Sequence, residues 1–309
     1  MLRAAPVLDM DEKIKLAIYG NPSAGKTTFG VRTAQMFPDL KLFIALTEPF
    51  ENLKAILDTY PDVKKRTVYI PNEEQMDKIR EVGDWYDSEG FKSGQEIALA
   101  EFLHSELLKV ANQPAEELKK WIIMVDTASQ IAKELVNKTY DQIHELADGH
   151  QMKIGQKRAR FAYGSSKRKF NVMAKRLFKC PTHVILTGRT EPLGEVSKVD
   201  GAVTFRWTRD EKPEWDGSAK ENPSKLGYEA TTIVHLHKVT KMYEDANKSH
   251  VPLDAELLPG KYHTETLRWA ELKKYKAPIT IAPVFFNPAP WDVFGWIKEN
   301  ANFLPTLKE

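Results

Sequence analysis

Cysteine is almost missing from this chain: among its 309 residues there is one, Cys180. A single thiol excludes an intrachain disulfide framework and any zinc site built from several cysteines. Long apolar runs are missing as well. No stretch approaches the roughly 18 uninterrupted apolar residues of a membrane-spanning helix, and residues 1–11 lack the apolar centre of a secretory signal. No membrane partner and a cytoplasmic setting are therefore expected. Internal repeats and low-complexity tracts are absent too.

Acid is missing from one long segment. Between Gly149 and Thr190 there is no Asp or Glu, although the net charge of the whole chain is only +2. Within that segment Arg160, Lys167, Arg168, Lys169, Lys175 and Arg176 make a cationic block, with Phe161, Tyr163 and Phe170 interleaved. Such a block suits single-stranded nucleic acid, because phosphate neutralisation supplies affinity and aromatic faces accept bases. The alternative is a solvated helix face packed by its apolar side.

What is present is an ordinary globular composition, 42% hydrophobic and 28% charged. It fits one large α/β domain with an appendage, or two modest domains. Chemistry enters at Gly20-Asn21-Pro22-Ser23-Ala24-Gly25-Lys26-Thr27-Thr28, a full match to the G-x-x-x-x-G-K-[ST] phosphate-binding loop, directly after the apolar run Ile14 to Tyr19. A strand feeding a glycine-rich turn that opens a helix aims several N–H groups, and the helix dipole, at one polyphosphate. Lys26 is assigned to the β- and γ-phosphates of ATP and Thr27 to Mg²⁺.

Further elements follow in βα alternation. A helix is expected over Lys26 to Met36, a strand over Leu42 to Leu46, a helix around Glu51 to Thr59, and a small strand over Thr67 to Ile70. Asn72 with Gln75 three residues on reads as a capping box opening another helix. Gly83 to Gly94 reads as a loop and Ser93 to Ala111 as a helix. Trp121 to Val125 is the most apolar short run and ends in Asp126, which supplies the carboxylate that orients the water shell of Mg²⁺, as in a Walker B element. Helices near Ser129 to Glu145 and Ser166 to Phe178 precede a strand from Thr182 to Leu186, followed by Thr187-Gly188-Arg189. Strands separated by helices predict a mostly parallel sheet flanked by helices, with ligands at the carboxyl ends of the strands. Beyond Gly201, Val203 to Trp207 and Ala230 to His237 read as extended, Thr208 to Lys225 as a mobile polar loop, and residues 242–261 as loop. His235 and His237 alternate on one side of their strand; no third metal ligand lies at a convincing spacing, so they are assigned to a sheet face. A short helix is expected from Trp291 to Ala301.

In order, these pieces resemble the RecA-like ATPase core. Leu-Phe-Ile-Ala-Leu-Thr-Glu, ending at Glu48, is similar to the strand whose terminal glutamate activates the attacking water, which implies that role for Glu48. Val125-Asp126-Thr127-Ala128 resembles the family's Walker B turn. The basic Tyr-Gly-x-x-x-[KR] helix before His-Val-Ile-Leu-Thr-Gly-Arg (183–189) resembles the RecA-like ATPases that phages encode beside recombination and single-strand annealing proteins. The resemblance covers about residues 12–240. It implies a RecA-like core over residues 1–241 with a C-terminal extension over 242–309, a homo-oligomeric ring or filament, and phage recombination or replication proteins as partners. Lys274 and Lys276 resemble the Lys-x-Lys pair that such filaments supply in trans; solvated lysines at a strand end are the alternative. Arg189, at a strand end facing the site, is assigned to sensing the γ-phosphate, with a structural salt bridge as the alternative. The competing functions are a P-loop kinase acting on a small molecule, a helicase or packaging-type motor subunit, and a nucleotide-binding switch without catalysis.

Overall fold

The computed structural model describes residues 13–48, 50–91, 93–148, 156–199, 202–213, 229–244, 262–275, 277–278 and 283–300. Six parallel strands form the middle of the molecule: β1 (Lys15–Gly20), β2 (Lys41–Leu46), β3 (Thr67–Ile70), β4 (Trp121–Asp126), β5 (His183–Gly188) and β8 (Thr232–Glu244). β9 (Tyr262–Tyr275) adds antiparallel to β8, and β10 (Ala277–Pro278) and β11 (Val284–Phe286) pair with β9. The order across the sheet is β10-β9-β8-β1-β5-β4-β2-β3. β6 (Thr190–Val199) and β7 (Ala202–Pro213) form a separate antiparallel hairpin.

Both faces of the sheet are covered, which is why its central strands read as continuous apolar runs rather than alternating ones. All six residues of β1 are buried. Leu16 and Ile18 of β1, Met124 of β4 and Leu236 of β8 point to one face, where α1 (Lys26–Gln35), α2 (Phe50–Thr59), α3 (Pro61–Lys64) and α9 (Pro290–Asn300) pack. Ala17, Tyr19, Ile123, Val125 and Leu186 point to the other, under α5 (Gly94–Ala111), α7 (Ala128–Asp148) and α8 (Gln156–Lys179). Two flanking helices, the long α4 (Glu73–Ser88) and the short α6 (Ala115–Leu118), complete the described helices. β8 runs through residue 241, the expected boundary, and Val293, Phe294 and Ile297 of α9 enter the same core as α1.

Three expectations are corrected. Gly83 does not open a loop: α4 continues to Ser88, because Gly83 is a notch for the neighbouring helix. A Cβ there would stand 2.6 Å from Gln95 Cγ on α5, so the glycine allows the two helices to touch. Thr208 to Pro213 is not loop but the end of β7, held by β6, a strand the sequence reading omitted; residues 214–228 lie outside the described residues. Phe170 is 1% exposed, among Met173, Ala174 and Leu177 in the core, so it cannot stack a base. The side chains of Phe161 and Tyr163 lie outside the described residues. The capping box is present as expected: Gln75 N donates to Asn72 Oδ1 at 2.9 Å and Asn72 N donates to Gln75 Oε1 at 2.8 Å.

Candidate active site

The phosphate loop forms where β1 ends against β8 and α1 begins. Ala24 N closes a turn onto Asn21 O at 3.1 Å, Gly25 takes a left-handed conformation with φ of 97°, and Phe29 N starts the helical ladder on Gly25 O at 2.8 Å. A positive φ at the helix start is a glycine position. Lys26 Nζ donates to Gly20 O at 2.8 Å and to Asn21 O at 2.9 Å, which holds the ammonium over the loop.

Asp126 sits at the carboxyl end of β4 beside that loop. Thr27 Oγ1 donates to one carboxylate oxygen at 2.7 Å and Thr187 Oγ1 to the other at 2.5 Å. The residue is 5% exposed. Burial pushes its carboxyl above the ordinary range; the bonds from Thr187 and Thr27 pull the other way, and Glu48 adds to the rise. The Asp126–Thr127 peptide is cis. Thr127 N donates to Thr47 Oγ1 at 2.8 Å and Thr47 N to Asp126 O at 2.8 Å, so the ends of β2 and β4 are tied together.

Glu48 follows Thr47 and comes to the same place. Arg189 Nη2 donates to Glu48 Oε1 at 3.1 Å, and Thr127 Oγ1 lies 3.5 Å from the same oxygen. The Arg189–Glu48 pair is about two-fifths exposed on each side, so its net worth in stability is small. Arg189 N donates to Ser129 Oγ at 3.1 Å, and the next residue, Thr190, bonds Asn21 of the phosphate loop through its hydroxyl.

These groups line one cavity of about 620 Å³ that contains Pro22 to Thr28, Glu48, Asp126, Thr127 and Arg189. Thus Lys26, Thr27, Glu48, Asp126 and Arg189, nominated from segments far apart in sequence, stand together. Other lining residues were not anticipated: Arg32, Asn52, Ile56, Leu236, Arg268, Asn287 and Pro288. Arg32 lies over the Trp291 ring of α9, 4.4 Å from its centroid. Its place on α1, downstream of Lys26 on the helix that opens the site, was the only local signal available; Arg268 and Asn287 arrive through strand pairing and left none.

The cationic segment lies elsewhere. Arg168, Lys169, Lys175 and Arg176 are exposed along α8, and Lys175 Nζ stands 3.5 Å from Glu229 Oε1. Nothing is described of the side chains of Arg160, Lys167 and Lys274, and Lys276 is outside the described residues. Among the described residues no helix is long and apolar enough to cross a membrane.

A family model described as an AAA domain matches residues 12–194, more than half of the chain, and the chain belongs to that family. With an intact phosphate loop, membership makes it a nucleotide-binding P-loop ATPase. No curated protein matches the chain. Among solved structures the chain is similar to one titled as the crystal structure of the RadB recombinase, with 13% identity and a TM-score of 0.39, covering 89% of this chain and 87% of that one. A likeness that slight carries no argument about function.

Proposed function

We propose that this AAA-domain protein is a RecA-like ATPase that hydrolyses ATP on single-stranded DNA in phage-type recombination, annealing or replication. The observation that carries the reading is the meeting of Glu48 with the phosphate loop, Asp126 and Arg189 in one cavity. Phosphoryl transfer to water needs positioning and charge stabilisation more than covalent help. Lys26, close to the loop carbonyls, is within a side-chain swing of a triphosphate seated on the loop. Thr27 and Asp126 offer adjacent hard oxygen donors 2.7 Å apart, which fit Mg²⁺. There Mg²⁺ would neutralise charge on the phosphate oxygens. Glu48 orients the attacking water, and Arg189 fixes the Glu48 carboxylate while answering to charge in the cavity.

The DNA part of the reading is supported by the exposed cations of α8, with Arg160 and Lys167 completing the expected set. Lys274 and Lys276 are the proposed trans-acting pair of a homo-oligomeric ring or filament. The deciding experiment measures phosphate release with and without single-stranded DNA, with products resolved and mass determined in each state. DNA-stimulated release of free phosphate supports the reading. A phosphorylated small molecule would replace it with a kinase, and hydrolysis indifferent to DNA would remove the DNA from it.

A further inference from the structure

On the opposite face of β8 from the nucleotide cavity lies a cluster that the ATPase reading does not use. Leu236 lines the cavity; its neighbours His235 and His237 point to the other side. Spacing within β8 offers only these two imidazoles. The third group comes from β9, where Glu271 stands directly opposite His235 in the antiparallel ladder.

We propose that His235, His237 and Glu271 form a binding site for a divalent transition-metal ion of the Zn²⁺ class. One ligand atom from each residue can be chosen so that all lie within 4.8 Å of one another. Bonds of about 2.0–2.2 Å in a tetrahedral site put neighbouring donor atoms roughly 3.3 Å apart. His237 Nε2 already lies 3.3 Å from Glu271 Oε2, and His235 Nδ1 lies 4.0 Å from the same oxygen. Closing the remaining gap takes side-chain adjustment alone.

The surroundings favour a metal. Tyr19 stacks on His235 with centroids 4.2 Å apart, and Trp269 stacks on His237 at 4.8 Å and 7° between planes. Such contacts fix ring orientation, as outer-shell partners do in metal sites. Glu271 already holds a cation, the ammonium of Lys273, whose side chain is 40% exposed and can turn to water. Two imidazoles and a carboxylate suit Zn²⁺ better than Mg²⁺ and leave a fourth position for water or substrate.

The test is titration of the full chain with Co²⁺ in excess Mg²⁺, which competes for hard oxygen donors such as those of the phosphate-loop site, read by visible absorption. Tetrahedral Co²⁺ absorbs intensely and octahedral Co²⁺ weakly. The expected result is one strongly absorbing Co²⁺ per chain, displaced by Zn²⁺. His237→Ala and Glu271→Gln should each weaken it at least ~10-fold, and Lys273→Ala should tighten it. Both ligands chosen for substitution are partly exposed, and circular dichroism checks that the variants fold. A weak octahedral spectrum, or binding that either ligand substitution leaves unchanged, overturns the proposal and leaves Tyr19, His235, His237 and Trp269 as an aromatic stack.

Discussion

The nucleotide end of the sheet and the exposed face of α8 are both polar, yet they are built on opposite principles. At the nucleotide end nearly every charged or hydroxyl group is held by another: Asp126 by Thr27 and Thr187, Glu48 by Arg189, Thr127 by Thr47. Along α8 the cations are exposed over a buried apolar side formed by Phe170, Met173 and Leu177, and only Lys175 among those described meets an acid, Glu229. Geometry fixes chemistry in the first case. In the second there is charge density, which would suit a polyanion without telling one sequence from another.

Substitutions sharpen that contrast. The largest effect is expected from Lys26→Ala, which should abolish ATP hydrolysis, a loss of at least ~100-fold in rate, because no other described cation sits on the loop in its place. Glu48→Gln should lower turnover by about 10²–10⁴-fold while ATP binding, followed by fluorescent-nucleotide displacement, persists; a variant that hydrolyses normally would move water activation away from Glu48. On α8 the response should be graded. Replacing Arg168, Lys169, Lys175 and Arg176 by Ala should flatten the slope of log affinity against log salt for single-stranded DNA by roughly 0.7 for each lost phosphate contact. A slope equal to the parent's would separate this face from DNA.

Two smaller effects concern stability. Asp126 is held above its unfolded value of 3.8 mainly by burial, so the folded chain binds the extra proton. Stability therefore falls as pH rises from 3.8 through the raised value, and the penalty stands in full above it. Asp126→Asn should raise the melting temperature of the nucleotide-free protein at neutral pH, while removing activity. His183 has the opposite sense. Burial, with Lys13 and Lys15, lowers it from 6.5 to about 3, and Ile14 N donates to its Nδ1 at 3.2 Å. The unfolded chain takes up the proton first, so stability is lost as pH falls from 6.5 towards 3. The stability difference between pH 7 and pH 5, measured by urea unfolding, should be smaller in His183→Gln by about 2 kcal/mol.

The site was more legible than the fold around it, for a physical reason. Gly25, Lys26 and Thr27 act through local backbone geometry, and Asp126 ends an apolar strand, so both leave marks within a few residues. The strand Thr67 to Ile70 and the cap at Asn72 are local in the same way. Gly83 misled because a glycine that admits a neighbouring helix looks like one that breaks its own. β6 was missed because Thr190-Glu191-Pro192-Leu193-Gly194-Glu195 shows no clean apolar alternation in the sequence. Arg268, Asn287 and Glu271 owe their positions to the register of β9 against β8 and β11, which no spacing along the chain encodes.

That β9 and β8 stand so late in the chain bears on how the protein can be divided. The carbonyl of Leu236 presses on Gly20 so closely that a Cβ at Gly20 would lie 2.2 Å from its oxygen. The first residue of the phosphate loop is thus shaped by a strand beyond residue 230, while the family match stops at residue 194. A fragment cut at that match would keep every signature residue and still leave β1 with a raw edge where β8 belongs. The phosphate loop is framed by chain through β8, so the signature and the structure that frames it are different lengths of chain.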